Sequence, residues 1–314
     1  MLGRTANGMF WMFRYLERAE NMARLLDAGL RIALTRDLET AESEWRSVIS
    51  TSGQRAAYEA THDGYTGVQV WNFLLRDKEN TASVREMLGL VRTNARAARN
   101  AISGEVWEAV NEGWMQIDAK LSRPVSPSQI SEVVRKIRRV GTLVHGAVTN
   151  TMLRNEGYHF ARAGTFIERG DSTARILDMK YYLLLPSLNY VGSSLDSGQW
   201  EQVLRSVSGD RAFSWLHAGQ IDARGIVKFL VLDDLFPRSL AFCHSALRRH
   251  LAGLARLHGR EGESNILMRE ADTLLADLTS EMIFDQGLHE FLTDFMARNA
   301  AIGRAIAEDY RFLS

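Results

Sequence analysis

The sequence predicts an all-α fold, a helical bundle built from two tandem repeats related by a pseudo-two-fold. Three observations lead there: where the prolines fall, how the apolar residues are spaced, and a charged segment that occurs twice. The prolines are Pro124, Pro127, Pro186 and Pro237, so residues 1–123 and 238–314 carry none, as long uninterrupted helices require. In residues 9–34, Met12, Tyr15, Ala19, Met22, Ala23, Leu26 and Leu30 recur at steps of three and four and so line one helical face. Residues 130–153 and 287–310 read the same way. The stretch Ser126-Pro127-Ser128-Gln129 reads as a helix start, with Ser126 as N-cap, Pro127 at the first helical position and Gln129 three residues past the cap.

The recurring segment is YLERAENMARLLD at 15–27 and FIERGDSTARILD at 166–178. Glu17, Arg18, Ala23, Arg24, Leu26 and Asp27 match Glu168, Arg169, Ala174, Arg175, Leu177 and Asp178, and Glu20 faces Asp171. Two further blocks follow in the same order. Trp45, Val48-Ile49, Ser52-Gly53 and Arg55-Ala56 return as Trp200, Val203-Leu204, Ser208-Gly209 and Arg211-Ala212, and FLLRDKENTASV at 73–84 returns as FLVLDDLFPRSL at 229–240. A nearly constant offset through three ordered blocks implies an internal duplication. The linker-like stretch at 121–129 is the expected join, giving a first repeat over 1–123 and a linker helix with the second repeat over 124–314, packed as one unit.

On a helical wheel Glu17, Glu20, Arg24 and Asp27 fall within an arc of roughly 80°, directly beside the apolar face, while Arg18 points away. Glu168, Asp171, Arg175 and Asp178 give the same wheel, with Arg169 in the place of Arg18. A solvated ladder of i,i+4 pairs would contribute only a few tenths of a kcal/mol per pair. The alternative is a buried or cleft-lining polar network in which each charge needs a partner. Identity held at the glutamate, both arginines and the last aspartate, while Asn21 became Ser172 and Met22 became Thr173, favours the network.

Composition narrows the function classes. Thirty-eight basic residues offset thirty-eight acidic ones, so no global field draws in nucleic acid or an anionic membrane. Cys243 stands alone, which leaves no internal disulfide and no thiolate cluster. Charged residues within 1–30 interrupt any signal-peptide core, and the longest apolar run, from Tyr181, is broken by Pro186, so a cytoplasmic protein without a membrane span is expected. Glu156-x-x-His159 has the spacing of half a di-iron site, but its counterpart reads Gln286-x-x-His289, leaving Glu156 and His159 as weak metal candidates. Cys243 and His244 are adjacent and diverge on a helix, and the apolar setting suits a buried thiol. The basic run VRKIRRV at 134–140 reads better as a solvated face than as a phosphate contact, and glycine-rich phosphate loops and nucleophile elbows are absent.

Arg4-Thr5-Ala6-Asn7 with WMFRYLERAENMARLLD at 11–27, and GYHFARAGTFIERGDSTARILD at 157–178, resembles the bacterial alpha-E domain family over essentially the whole chain. The resemblance implies an all-helical protein whose genes lie beside, or are fused to, those of an ATP-grasp-like ligase and a transglutaminase-like protein. It therefore implies a role in a system that forms or modifies peptide or amide bonds, with ATP and magnesium held by the partner ligase and no cofactor in this chain. Three departures stand out: Phe13 where the family has glycine, Ala163-Gly164-Thr165 where it has Leu-Gly-Arg, so no role is carried over for an arginine at 165, and Gly170 where alanine is usual, which slightly loosens that helix. Two functional readings remain. In the first the chain is an accessory partner of the ligase, with a central paired Glu/Arg polar site in which Arg18, Arg24, Asp27, Arg169, Arg175 and Asp178 bind substrate or brace the fold. In the second it is an enzyme using Glu17, Glu20, Glu168 and Asp171 as acid–base or metal-binding groups.

Overall fold

Every regular element among the described residues is a helix, which is what the spacing of apolar residues requires. The computed structural model describes residues 1–33, 38–184, 194–217 and 221–312; Pro186 and most of the apolar run from Tyr181 lie outside them. The chain divides into two compact units, Trp11–Leu153 and a second made of Met1–Phe10 with Arg154–Ser314. Among the described residues no helix is long and apolar enough to cross a membrane.

The first helix, α1 (Gly3–Ala33), contributes its opening turns to the second unit and the rest to the first. The first unit continues with α2 (Leu38–Thr51), α3 (Arg55–Glu59), α4 (Gly67–Arg76), α5 (Val84–Ala97), α6 (Gly104–Leu121) and α7 (Ile130–Thr151). Of the apolar face expected for α1, Met12, Ala19, Ala23 and Leu26 are each at most 1% exposed and Met22 and Leu30 are also buried, while Tyr15 is only half-buried. Tyr58 anchors an aromatic nest, stacked on His62 at 4.4 Å and edge-on to Phe73 at 5.1 Å, with its hydroxyl donating to the Gly64 carbonyl at 2.7 Å. Thr66 caps α4 through a reciprocal pair with Gln69, and Ser83 caps α5.

The expected join at 121–129 proves to be stitched into this unit. Val125 is buried, its N–H donates to Asn72 Oδ1 at 2.8 Å, and its carbonyl accepts the Trp71 indole N–H at 2.9 Å. The compact units divide at Leu153 and Arg154, so the helix over Ile130–Thr151 packs within the Trp11–Leu153 unit. The physical reason is the apolar stripe of Val133, Ile137, Val140 and Val144, which α7 buries in packing against α6. α7 also begins later than the Ser-Pro-Ser-Gln signal implied. Gln129 Oε1 does reach back to the Ser126 N–H at 3.2 Å, but Pro127 to Gln129 form a turn and the helix starts at Ile130.

The second unit contains α8 (Glu156–Leu184), α9 (Ser194–Ser206), α10 (Asp210–His217), α11 (Ala223–Val227), α12 (Leu240–His258), α13 (Glu263–Ala276), α14 (Ser280–Gln286) and α15 (Leu288–Asp309). α11 runs on as a π-helical turn over Lys228–Leu232. α8 packs against both α12 and α15, and the buried Asn299 of α15 donates to the Ile167 carbonyl at 2.9 Å. Phe213 stacks on His217 at 4.4 Å and meets Phe229 edge-on at 5.5 Å. Asp222 caps α11 and Ser239 caps α12. The opening turns of α1 are held here by Phe10 against Phe312 at 5.5 Å and by the Met1 amine on Glu156.

Candidate functional site

Three residues separate Glu17 from Glu20, so both carboxylates leave α1 on one side, and both are buried at 0% and 3% exposure. Such charges persist only where cations meet them. α7 supplies one: His145 Nε2 lies 3.3 Å from Glu20 Oε1 and 3.6 Å from Glu17 Oε2. α1 supplies the other, with Arg24 Nη2 donating to Glu20 Oε2 at 3.0 Å. Room for the Glu20 carboxyl comes from Gly141, one turn before His145. A Cβ at that position would stand 1.9 Å from Glu20 Oε1. Phe13 closes the other side, its ring 5.9 Å from the imidazole, where the family pattern led to an expectation of glycine.

Burial opposes charge on His145, but the Glu17 and Glu20 carboxylates outweigh it and raise its pKa above the ordinary 6.5. The network then balances two carboxylates with an imidazolium and a guanidinium. A folded-state pKa above the unfolded one contributes stability that is complete below pH 6.5 and is lost as pH rises through the raised value. Chemical denaturation followed across that range should show wild-type stability falling with pH, and His145→Gln should flatten the slope. An unchanged slope in the variant would remove His145 from the account.

Glu17, Glu20 and His145 each offer one ligand atom, all within 4.8 Å of one another, so this set could hold a divalent cation. Proton and metal compete for the same imidazole lone pair, and the carboxylates favour the proton until the pH passes the raised pKa. Glu156 and His159 do not converge in this way. Glu156 pairs with the Met1 amine and with His258 at 3.2 Å, whereas His159 Nδ1 lies 3.1 Å from His250 Nδ1.

The rest of the α1 stripe grades outward. Asp27 lies 3.5 Å from Arg31 and 3.3 Å from Arg138, and Arg18 rests 6.0 Å from the Tyr15 ring. On α8, Glu168 is buried at 4% exposure. Asp171 accepts Arg175 Nε at 2.7 Å, and Asp178 Oδ1 stands 2.5 Å from His289 Nδ1. Arg169 donates to the Pro237 carbonyl at 3.4 Å, and Thr165, buried, donates to the Ala161 carbonyl at 3.0 Å. Cys243 is buried, as its apolar setting implied, with its thiol 3.9 Å from the Pro237 carbonyl. Its neighbour His244 turns away to stack on Phe295 at 4.6 Å, and burial lowers its pKa to about 4.

His145 and Gly141 were not singled out from the sequence, and Arg138 stood out only within the basic run at 134–140. The signal was present as spacing, since Arg138, Gly141 and His145 lie at i, i+3 and i+7 and so share one edge of α7.

The whole chain agrees with one family model, described as a predicted alpha-helical domain with a conserved ER motif, over residues 1–311. Glu-Arg pairs stand at Glu17-Arg18 and Glu168-Arg169. Among curated proteins, the chain is similar to an uncharacterized protein of Mycobacterium bovis and to uncharacterized proteins of two Mycobacterium tuberculosis strains. Each is 24% identical over 279 residues, which is 83% of this chain and 30% of the relative. The chain thus spans less than a third of the length of the curated relatives it matches. No solved structure matches it at a significant level.

Proposed function

The chain belongs to the Alpha-E family, and on that premise we propose that it is a helical partner of an ATP-grasp-type system that forms or modifies peptide or amide bonds. In this reading each unit holds a polar Glu/Arg site that braces the fold and orients the acceptor, in the cytoplasm. ATP and magnesium are bound by the partner ligase, and a transglutaminase-like protein belongs to the same system. The observation that carries it is the internal charge match around Glu17. Glu20 is shared between His145 at 3.3 Å and Arg24 at 3.0 Å, so the buried charges are met from within and fix geometry. The relatives add support, because a segment that makes up 30% of a longer protein has the character of a module.

A duplicated ancestry is part of this reading. In its support, the backbone takes positive φ at Gly53, 72°, and at Ser208, 55°, one residue before the glycine that matches Gly53 in sequence, and the Tyr58–His62 and Phe213–His217 ring pairs both stack at 4.4 Å. Caps recur at Thr66 and Asp222 and at Ser83 and Ser239, while Asp27–Arg138 and Asp178–His289 are both 111 residues apart.

The test is reconstitution with an ATP-grasp-like ligase from the same organism. Co-elution at a fixed ratio, with ligase turnover falling to a small fraction when this chain is left out, is the expected result. Undiminished turnover of the ligase alone would overturn the reading. The metal-capable arrangement of Glu17, Glu20 and His145 favours the second reading, an enzyme in its own right. That reading requires turnover by this chain alone that Glu17→Gln and Glu20→Gln abolish without unfolding it.

A further inference from the structure

A cleft of about 540 Å³ opens in the Trp11–Leu153 unit between the last turns of α1 and the first half of α7. Five guanidiniums line it: Arg24 and Arg31 from α1, and Arg135, Arg138 and Arg139 from α7. On α7 the i, i+3, i+4 spacing brings its three arginines to one edge, where like charges repel. Two carboxylates answer the five. Glu20 takes Arg24 at 3.0 Å, and Asp27 lies between Arg31 at 3.5 Å and Arg138 at 3.3 Å. Among the described residues Arg139 has no carboxylate partner, and Arg135 acts on Glu132 only through space. Among the described residues the cleft is therefore left with an excess of three positive charges, in a chain whose overall charge is zero.

The Ser131 hydroxyl, one turn before Arg135, adds a neutral donor along the same edge, while the Thr142 hydroxyl at the other end donates to the Arg138 carbonyl at 3.0 Å. Paired guanidinium forks with nearby hydroxyls are the chemistry that binds phosphate and carboxylate oxygens, and the volume falls in the range of small-ligand sites. We propose that this cleft binds a small polyanion, a phosphorylated or polycarboxylate molecule carrying about three negative charges. The inference is independent of the ligase reading, since it rests on the arginines of α7 and not on the buried glutamates.

The experiment is calorimetric titration of the full chain with tripolyphosphate and, separately, with citrate, for the wild type and for Arg135→Gln/Arg139→Gln. Both substituted side chains are exposed, so the fold is retained, and a melting curve checks it. The expected result is one-to-one binding that weakens with added salt and drops on the order of tenfold or more in the double variant. Tighter binding of tripolyphosphate identifies a phosphorylated ligand, tighter binding of citrate a polycarboxylate, and either supports the site. Absence of binding by both probes overturns the proposal, as does equal binding by wild type and double variant.

Discussion

Exchanging His145 for leucine is expected to destabilise the Trp11–Leu153 unit by about 3–5 kcal/mol at neutral pH. Leucine fills much of the same space, so the loss is electrostatic. Glu17 and Glu20, at 0% and 3% exposure, would keep their charges without the imidazolium that lies 3.3 Å from Glu20. A buried carboxylate in that position must either protonate or admit water, and both cost free energy. The urea midpoint reads the effect directly. Adding Glu17→Gln to His145→Leu should recover a good part of it, because one buried carboxylate is then removed with the imidazolium while Glu20 keeps Arg24 at 3.0 Å. If the single variant melted like the wild type, the network would be an incidental contact.

Phe213→Ala should be comparably severe, about 3–5 kcal/mol, for a reason that involves no charge. Phe213 is 1% exposed and sits between His217 at 4.4 Å and Phe229 at 5.5 Å. Truncation leaves a cavity that the rings around it cannot close without leaving their stacked geometry. In a unit of this size the melting temperature should fall on the order of 10 °C. A shift of only a degree or two would mean that the site collapses around the smaller side chain.

The helices were legible because their signal is local. A three-and-four apolar rhythm with prolines kept outside marks α7 and α15 to within two residues, while α1 starts six residues before the rhythm does. The wheel of the charged segment was also informative, since Glu17 and Glu20 are buried while the Asp27 side chain, at 24% exposure, stands toward the solvent side. What the rhythm could not reveal was partnership across long stretches of chain. Val125 looked like linker because proline and serine surround it, yet bonds reaching 53 and 54 residues back to Asn72 and Trp71 hold it in place. His145 was passed over for the same reason, its meaning depending on α7 lying against glutamates more than a hundred residues earlier. The two charged segments also have one wheel but different surroundings. The Arg24 side chain is 12% exposed and Arg175 50%, a contrast set by neighbouring helices and not by the residues themselves.

The contact between His159 and His250 constrains where protons can reside in the second unit. Their Nδ1 atoms face each other at 3.1 Å, so one ring must carry its hydrogen there and the other must leave that nitrogen bare. The two rings therefore hold opposite tautomers. Burial is the first cause that lowers the pKa of both, and it takes His250 down to about 3, so a proton added to the pair is carried by His159. On acidification the pair can accept one proton at the far nitrogen of His159 with the shared hydrogen left in place. A second would have to enter the occupied gap, so the two rings together take up one proton and oppose another across the α8–α12 contact.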